Sequence, residues 1–136
     1  MLLRGNSRHA NLGFTLLEMT IVAVIIGILV MIAYPSYQGQ IRRSHRASAE
    51  AHLLDVAARQ QQFLYDSRAY AASLMALNMV TPSDVTGHYT IQIALQAGPP
   101  PSFSITATPT GSQTSDLGGA ALTIDNRGAK TPAGAW

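Results

Sequence analysis

Glu18 has the most unusual chemical setting in this 136-residue sequence, because it is an acid inside an apolar run. The run from Phe14 to Ala33 has 20 residues and no other charged side chain. At about 1.5 Å per residue, a helix of this length matches the ~30 Å hydrocarbon core of a bilayer. A carboxylate near the end of such a helix costs free energy, up to about 3 kcal/mol at mid-bilayer and less at the interface. The sequence therefore predicts that the charge of Glu18 is paired with a partner group.

The other reactive side chains form no catalytic or metal-binding pattern. The sequence has no Cys, and its four His, at positions 9, 45, 52 and 88, lack the spacing of metal ligands. His45 and His52 can share a helix face, but a metal site there is the less favoured interpretation. The segment Asp125-Asn126-Arg127-Gly128 has oxygen ligands with no acid after it, which favours a turn over a calcium loop. We expect no enzyme, no cofactor and no metal.

The composition indicates a membrane segment and a neutral remainder. With 47% hydrophobic and only 12% charged residues, the chain has too few charges for an ordinary soluble surface. The net charge of +2 comes from Arg4 and Arg8, since the remaining bases and acids balance. These two arginines predict a cytoplasmic amino terminus, whereas the cluster of Arg42, Arg43 and Arg46 opposes that orientation.

Two features of the amino-terminal region have alternative interpretations. The first is the apolar run, for which a secretory signal peptide is the alternative interpretation. The length of the run, the lack of paired small residues near Ala33 and the presence of Glu18 disfavour it. The second concerns Arg42, Arg43 and Arg46, which follow the membrane segment and are placed to contact lipid headgroups. Nucleic-acid binding by the same cluster is the less favoured alternative.

Periodicity predicts an α+β fold in which a long N-terminal helix, half membrane segment and half amphipathic, packs on a small antiparallel sheet. Gly27 and Pro35 should kink or loosen this helix, which then continues to about Asp66. Its polar stripe is predicted at Ser48, His52, Asp55, Arg59, Gln62 and Asp66, and its packed side at Ala47, Leu53, Leu54, Ala57, Ala58, Leu64 and Tyr65. Residues 67–87 indicate a loop with a helical turn at 73–76. Strands are predicted at 88–95, 102–108, 121–124 and 129–131.

The run Gly13-Phe14-Thr15-Leu16-Leu17-Glu18-Met19-Thr20-Ile21-Val22, preceded by a basic leader, resembles the class III signal of type IV prepilins and pseudopilins. The resemblance continues through Ala33-Tyr34-Pro35-Ser36-Tyr37-Gln38 and extends to Tyr70. Over this longer range the sequence is similar to minor pilins of the PilE type. It implies that a prepilin peptidase cuts after Gly13 and that the new amino group of Phe14 is methylated. It also implies that Glu18 pairs with the amino terminus of a neighbouring subunit.

The resemblance implies three regions: a leader at 1–13, a transmembrane and assembly helix at 14–40, and a periplasmic pilin head at 41–136. It further implies that the disulfide common in the family is missing, because Gly119 and Ala135 occupy its two Cys positions. The closing loop would then be held by packing, with Trp136 as an anchor.

The expected function is that of a structural minor pilin of a type IV pilus. The subunit is expected in the bacterial inner membrane with its head in the periplasm, and on the cell surface after assembly. Its expected partners are other pilin subunits, the prepilin peptidase, the membrane and the pilus assembly machinery, with nucleic acid not among them. The alternatives are a pseudopilin of type II secretion or competence, and a membrane-anchored binding module that never polymerises. An anchored enzyme would need a site that the sequence does not contain.

Overall fold

The computed structural model describes residues 13–136, so the predicted leader, with Arg4 and Arg8, lies outside the described residues except for Gly13. The elements in chain order are α1 (Leu16–Ser67), α2 (Ser83–Thr86), β1 (Tyr89–Gln96), β2 (Ser102–Pro109), a 3-10 segment (Gly111–Gly119), β3 (Leu122–Asp125) and β4 (Lys130–Thr131). The predicted architecture of a long N-terminal helix and an antiparallel sheet is confirmed. The chain divides into two compact units, one ending at Tyr37 and one, the head, from Gln38 to Trp136.

Helix α1 ends one residue after the predicted position. Arg68 adopts a left-handed backbone conformation, with φ of 57°, and its N–H donates to the carbonyl of Leu64 at 2.8 Å. A residue in this conformation stops a helix while it still satisfies one of the terminal carbonyls. Pro35 lies inside α1, and the kink expected at Gly27 and Pro35 stays a prediction.

The face of α1 that packs on the sheet agrees with the prediction only in part, since Leu53 is buried and Asp55 and Arg59 are exposed as predicted. Its buried residues are Ala49, His52, Leu53, Val56 and Gln60. His52, which was assigned to the polar stripe, is only 5% exposed, whereas Tyr65, assigned to the packed side, is 85% exposed. These two assignments were wrong because the prediction ranked positions by polarity, and two of the buried positions carry polar side chains.

Gln60 shows how a polar residue is accommodated in this core. Its side-chain Nε2 donates to the carbonyl of Ala71 at 2.7 Å, and its Oε1 accepts from the N–H of Ala71 at 2.9 Å. Gln60 is fully buried and Ala71 nearly so. The amide thus pairs with the chain that follows α1 as a neighbouring strand would, and it satisfies both backbone groups of Ala71 away from water.

The sheet is antiparallel throughout, in the order β1-β2-β3-β4. The alternation predicted for β2 is confirmed, since Phe103, Ile105 and Ala107 are buried and the residues between them are not. Together with Leu122 and Ile124 of β3 they form the core against α1. In the turn before β4, the Asp125 carboxylate accepts from the N–H groups of Arg127 and Ala129, so the interpretation of this segment as a turn is confirmed.

The connection between α1 and β1 differs from the prediction. Its turn lies at residues 74–78 rather than 73–76, and a short helix, α2, follows it. Pro82 precedes this helix, and Val85, which belongs to the helix, is buried. Asp84 lies in the first turn of this helix, where an acidic residue is a helix-start signal that the sequence contained. The 3-10 segment Gly111–Gly119 was also not predicted.

Replacing Gln60 with Leu is expected to lower the free energy of unfolding of the head by about 1–3 kcal/mol, because the backbone groups of Ala71 would remain buried without partners. Urea unfolding of the full chain in detergent, followed by Trp136 fluorescence, measures this. Gln62→Leu is the matched control, since Gln62 is exposed and should change stability by no more than about 0.5 kcal/mol. Equal losses in both variants would show that the amide pairing contributes nothing specific.

Candidate assembly site

The amino-terminal part of α1 presents apolar side chains that nothing in its own unit covers. Phe14, Leu17 and Met31 are 74%, 71% and 77% exposed. Within residues 13–136, α1 contains one window long and apolar enough to cross a membrane, and none of that window is buried by the rest of the chain. An apolar surface of this kind requires lipid or other apolar helices around it.

The first turn of α1 positions Glu18. The hydroxyl of Thr15 accepts from the N–H of Glu18 at 3.1 Å, which caps the helix, and the hydroxyl of Thr20 donates to the carbonyl of Leu17 at 2.7 Å. Glu18 is exposed in this turn, where the helix dipole favours a negative charge. The order Thr-x-x-Glu is a capping signal that the sequence interpretation passed over. Thr15 is therefore an additional residue of the site.

The predicted site residues Gly13, Phe14 and Gly27 have no packing role within the described chain. A side chain added at Gly13 or at Gly27 would meet no atom within 4 Å, so neither glycine is needed for a close approach inside the chain. Phe14 lies before the first residue of α1 and is exposed.

The three arginines predicted to act together have different surroundings. Arg43 is exposed. The backbone carbonyl of Arg42 accepts from Nε2 of Gln113 at 2.9 Å. Arg46 turns into the head, where its Nη1 lies 3.0 Å from Oδ2 of Asp116 and its Nε lies 3.4 Å from Oε1 of Glu50. Two carboxylates thus balance the charge of Arg46, which leaves Arg42 and Arg43 as the candidates for headgroup contact.

The Arg46 ion pair belongs to a larger network that joins α1, β1 and the 3-10 segment. Gln113 is fully buried, and its Nε2 contacts the hydroxyl of Tyr89 at 2.9 Å and Oδ2 of Asp116 at 3.2 Å. Burial raises the pKa of Glu50, an effect that the positive charge of Arg46 opposes. Sequence reasoning missed Gln113 and Asp116, because their partners Arg42 and Arg46 are some 70 positions away and no local pattern signals such a contact.

Three of the histidines lie in the head. The His45 ring stacks on the His88 ring with 3.6 Å between centroids. His52 is buried, and its Nε2 has no hydrogen-bond partner among residues 13–136. Burial lowers the pKa of His52, while Asp55 and Asp84 act in the opposite direction. No three His, Cys, Asp or Glu residues in the described part of the chain are grouped as metal ligands.

Comparison with known proteins gives two family matches. A family model described as type IV minor pilin ComP, DNA uptake sequence receptor, matches residues 35–121. A model of the prokaryotic N-terminal methylation motif matches residues 8–34. Together the two models cover the amino-terminal helix and most of the head.

Similar proteins include fimbrial protein EcpC of Eikenella corrodens, 54% identical over 42 residues, which are 31% of this chain and 28% of that protein. Type II secretion system core protein G of Pectobacterium carotovorum subsp. carotovorum is 27% identical over 73 residues, 54% of this chain and 47% of that protein. The chain therefore spans less than half the length of these curated relatives. The solved structure of a type IV pilin from Shewanella oneidensis aligns with a TM-score of 0.56 and 26% identity, covering 70% of this chain and 97% of that one.

Asp116→Asn is expected to lower the free energy of unfolding of the head by about 1–3 kcal/mol, because it weakens a charge-assisted bond to Arg46 that is largely shielded from water. The loss should shrink at high salt, which screens the remaining charges. Urea unfolding at low and high ionic strength measures both effects. Asp66→Asn, at an exposed carboxylate, is the control and should be close to neutral. A loss in Asp116→Asn no larger than in this control would contradict a stabilising role of the ion pair.

Proposed function

Because this chain belongs to the type IV minor pilin family, we propose that it is processed between Gly13 and Phe14, held in the inner membrane by α1, and then assembled into a pilus through the same helix. The chain is a type IV minor pilin with an N-terminal methylation motif. The observation that carries the proposal is the pairing of that motif at residues 8–34 with the pilin match at residues 35–121.

The exposed apolar surface of α1 supports the proposal that the subunit moves from the membrane into a filament. In the membrane, lipid covers Leu17, Met31 and their neighbours. In a filament, the apolar helices of other subunits replace the lipid at little cost, since both environments are apolar. Gly27 and Pro35 weaken α1 where such packing has to adjust.

Glu18 is the proposed recognition group. A carboxylate in an apolar helix bundle is stable only with a partner, and the amino group that cleavage would create at Phe14 of a neighbour is a cation suited to that role. Thr15 keeps the first turn of α1 formed and so holds Glu18 in a defined position. Arg42 and Arg43 are proposed to contact lipid headgroups before the subunit is assembled. Residues 14–40 are proposed to form the assembly helix, and residues 41–136 the periplasmic head.

A secretion pseudopilin remains the alternative within the same fold, supported by the similarity to core protein G of a type II secretion system. A membrane-anchored module that never polymerises is the alternative outside filament assembly. Isolation of sheared surface filaments separates these functions, because a pilus subunit is recovered in them, and neither a pseudopilus subunit nor a solitary anchored module is expected there.

Mass spectrometry of the membrane-extracted protein is expected to find an amino terminus at Phe14 that carries one extra methyl group. Gly13→Leu should block the cut, because the site would lose its smallest residue, whereas Gly27→Leu should leave it intact. An intact terminus at Met1, or a cut near Ala33, would contradict prepilin processing.

Glu18→Ala is expected to be inserted and cleaved but to be recovered in sheared pili at less than about a tenth of the wild-type amount, since losing a paired buried charge costs several kcal/mol. Glu18→Gln should fail similarly, because it keeps the shape and removes the charge. Thr20→Ala, at a neighbouring polar position in the same helix, is the control and should assemble normally. Quantitative immunoblotting of purified filaments measures recruitment, and normal recovery of Glu18→Gln would rule out charge pairing.

DNA binding is a second candidate function, which the description of the matched family favours, although nucleic acid is not among the partners expected from the sequence. The turn before β4 offers a place for it. Arg127 and Lys130 are exposed there, and the Lys130 ammonium lies 4.8 Å from the centre of the Trp136 ring. Clustered bases attract phosphates, and an aromatic ring adds a surface for contact.

Replacing Arg127 and Lys130 together with Ala is expected to weaken binding to labelled duplex DNA and to reduce the slope of log affinity against log salt by about 2, as for two lost phosphate contacts. Fluorescence anisotropy over a salt series measures the slope. Arg68→Ala removes a charge elsewhere on the head and serves as the control. Unchanged binding in the double variant would place any DNA contact outside this turn.

A further inference from the structure

Strand β1 forms one edge of the sheet, since β2 is its only neighbour in the strand order among residues 13–136. The N–H of Thr110 donates to the carbonyl of His88 at 2.8 Å, and Tyr89 lies opposite Pro109 in the register. Hydrogen-bonded and non-bonded pairs alternate along an antiparallel ladder. The even-numbered residues of β1 therefore bond to β2, and the odd-numbered ones direct their N–H and C=O groups away from the sheet.

The outward groups belong to Ile91, Ile93 and Leu95, and to Tyr89, which is itself buried. Among residues 13–136 no hydrogen bond is made to the backbone of these four beyond the sheet. Edge strands are normally protected from pairing by charged residues, prolines or bulges. The sequence of β1, YTIQIALQ, contains no charge and no proline, and all eight of its residues pair in unbroken register with β2.

A cleft of about 320 Å³ lies at the carboxyl end of β1, lined by Arg68, Tyr70, Leu95 and Gln96 among others. Arg68 is exposed and forms no ion pair with a described residue. The Tyr70 ring packs edge-on against Phe103 at 4.8 Å between centroids, which holds one wall of the cleft on the core. The charged side chain of Arg68 thus lies beside the carboxyl end of β1, whose edge carries no protecting charge or proline.

We propose that β1 binds an extended peptide of a partner protein as a fifth, antiparallel strand, with an acidic side chain of that peptide reaching Arg68. Donors and acceptors that repeat every second residue, about 7 Å apart, match the backbone of another strand. Antiparallel pairing is the more stable arrangement, and it places the amino-terminal part of the peptide at Leu95. This binding function is additional to filament assembly through α1 and does not depend on it.

Solution NMR of the full chain in detergent, with a synthetic acetylated peptide Asp-Thr-Val-Thr-Val-Thr-amide as the probe, tests the proposal. We expect shifts of the amide signals of Ile91, Ile93 and Leu95 on titration. The same peptide N-methylated at every residue should bind at least about tenfold more weakly, because it cannot donate to the strand. A peptide with Lys in place of Asp should also bind more weakly.

Matched variants separate backbone pairing from side-chain effects. Leu95→Pro removes an outward N–H without breaking the bonds to β2, a position where edge proline is tolerated, and should reduce affinity about tenfold. Leu95→Ala keeps the N–H and should reduce it far less. Arg68→Glu should reverse the preference between the Asp and Lys peptides, whereas Arg127→Glu should not.

Four results would overturn the proposal. The first is the absence of shifts at the outward amides at millimolar peptide, and the second is equal binding of the N-methylated peptide. The third is a dependence of the same amides on protein concentration without peptide, which would assign the edge to a second copy of the chain. Equal affinity of Leu95→Pro and Leu95→Ala would likewise exclude backbone pairing.

Discussion

The apolar surface of α1 before Tyr37 is the constraint on which the rest of this protein depends. Its side chains are more than half exposed at most positions, and the described chain supplies nothing to cover them. Water is an unfavourable environment for such a surface, because apolar area costs about 25 cal/mol per Å² left exposed. The helix therefore has to be surrounded by lipid or by other apolar helices, which the proposed assembly with other pilin subunits would provide.

The head meets a different requirement, which is to stay folded with a small core. Thirteen buried apolar residues form that core. The segments outside the sheet are connected to the core by buried polar contacts. Gln60 binds the chain after α1, and Gln113 with Asp116 binds the 3-10 segment to Arg46 and Tyr89. These contacts are directional, so they define where each loop lies in a way that apolar packing alone does not.

The 3-10 segment ends at Gly119, one of the two positions where the resemblance to pilins places a missing cysteine. Asp116, which pairs with Arg46, lies in the same segment. A disulfide acts mainly by restricting the unfolded chain, whereas an ion pair acts in the folded state and responds to salt. At this segment the head therefore has an ion pair, whose strength depends on ionic strength, and no disulfide, whose formation would depend on redox state.

Sequence alone determined the features that depend on neighbouring residues. The apolar run, the exceptional Glu18, the alternation in β2 and the turn at Asp125 were all visible, because local periodicity and turn chemistry are short-range properties. Tertiary structure decided the face of α1 that is buried, the surroundings of Arg46 and the unprotected edge at β1. Each of these depends on contacts between residues distant in sequence, such as Arg46 and Asp116. A one-dimensional pattern cannot report them, since burial of His52 and Gln60 depends on what the fold places opposite them.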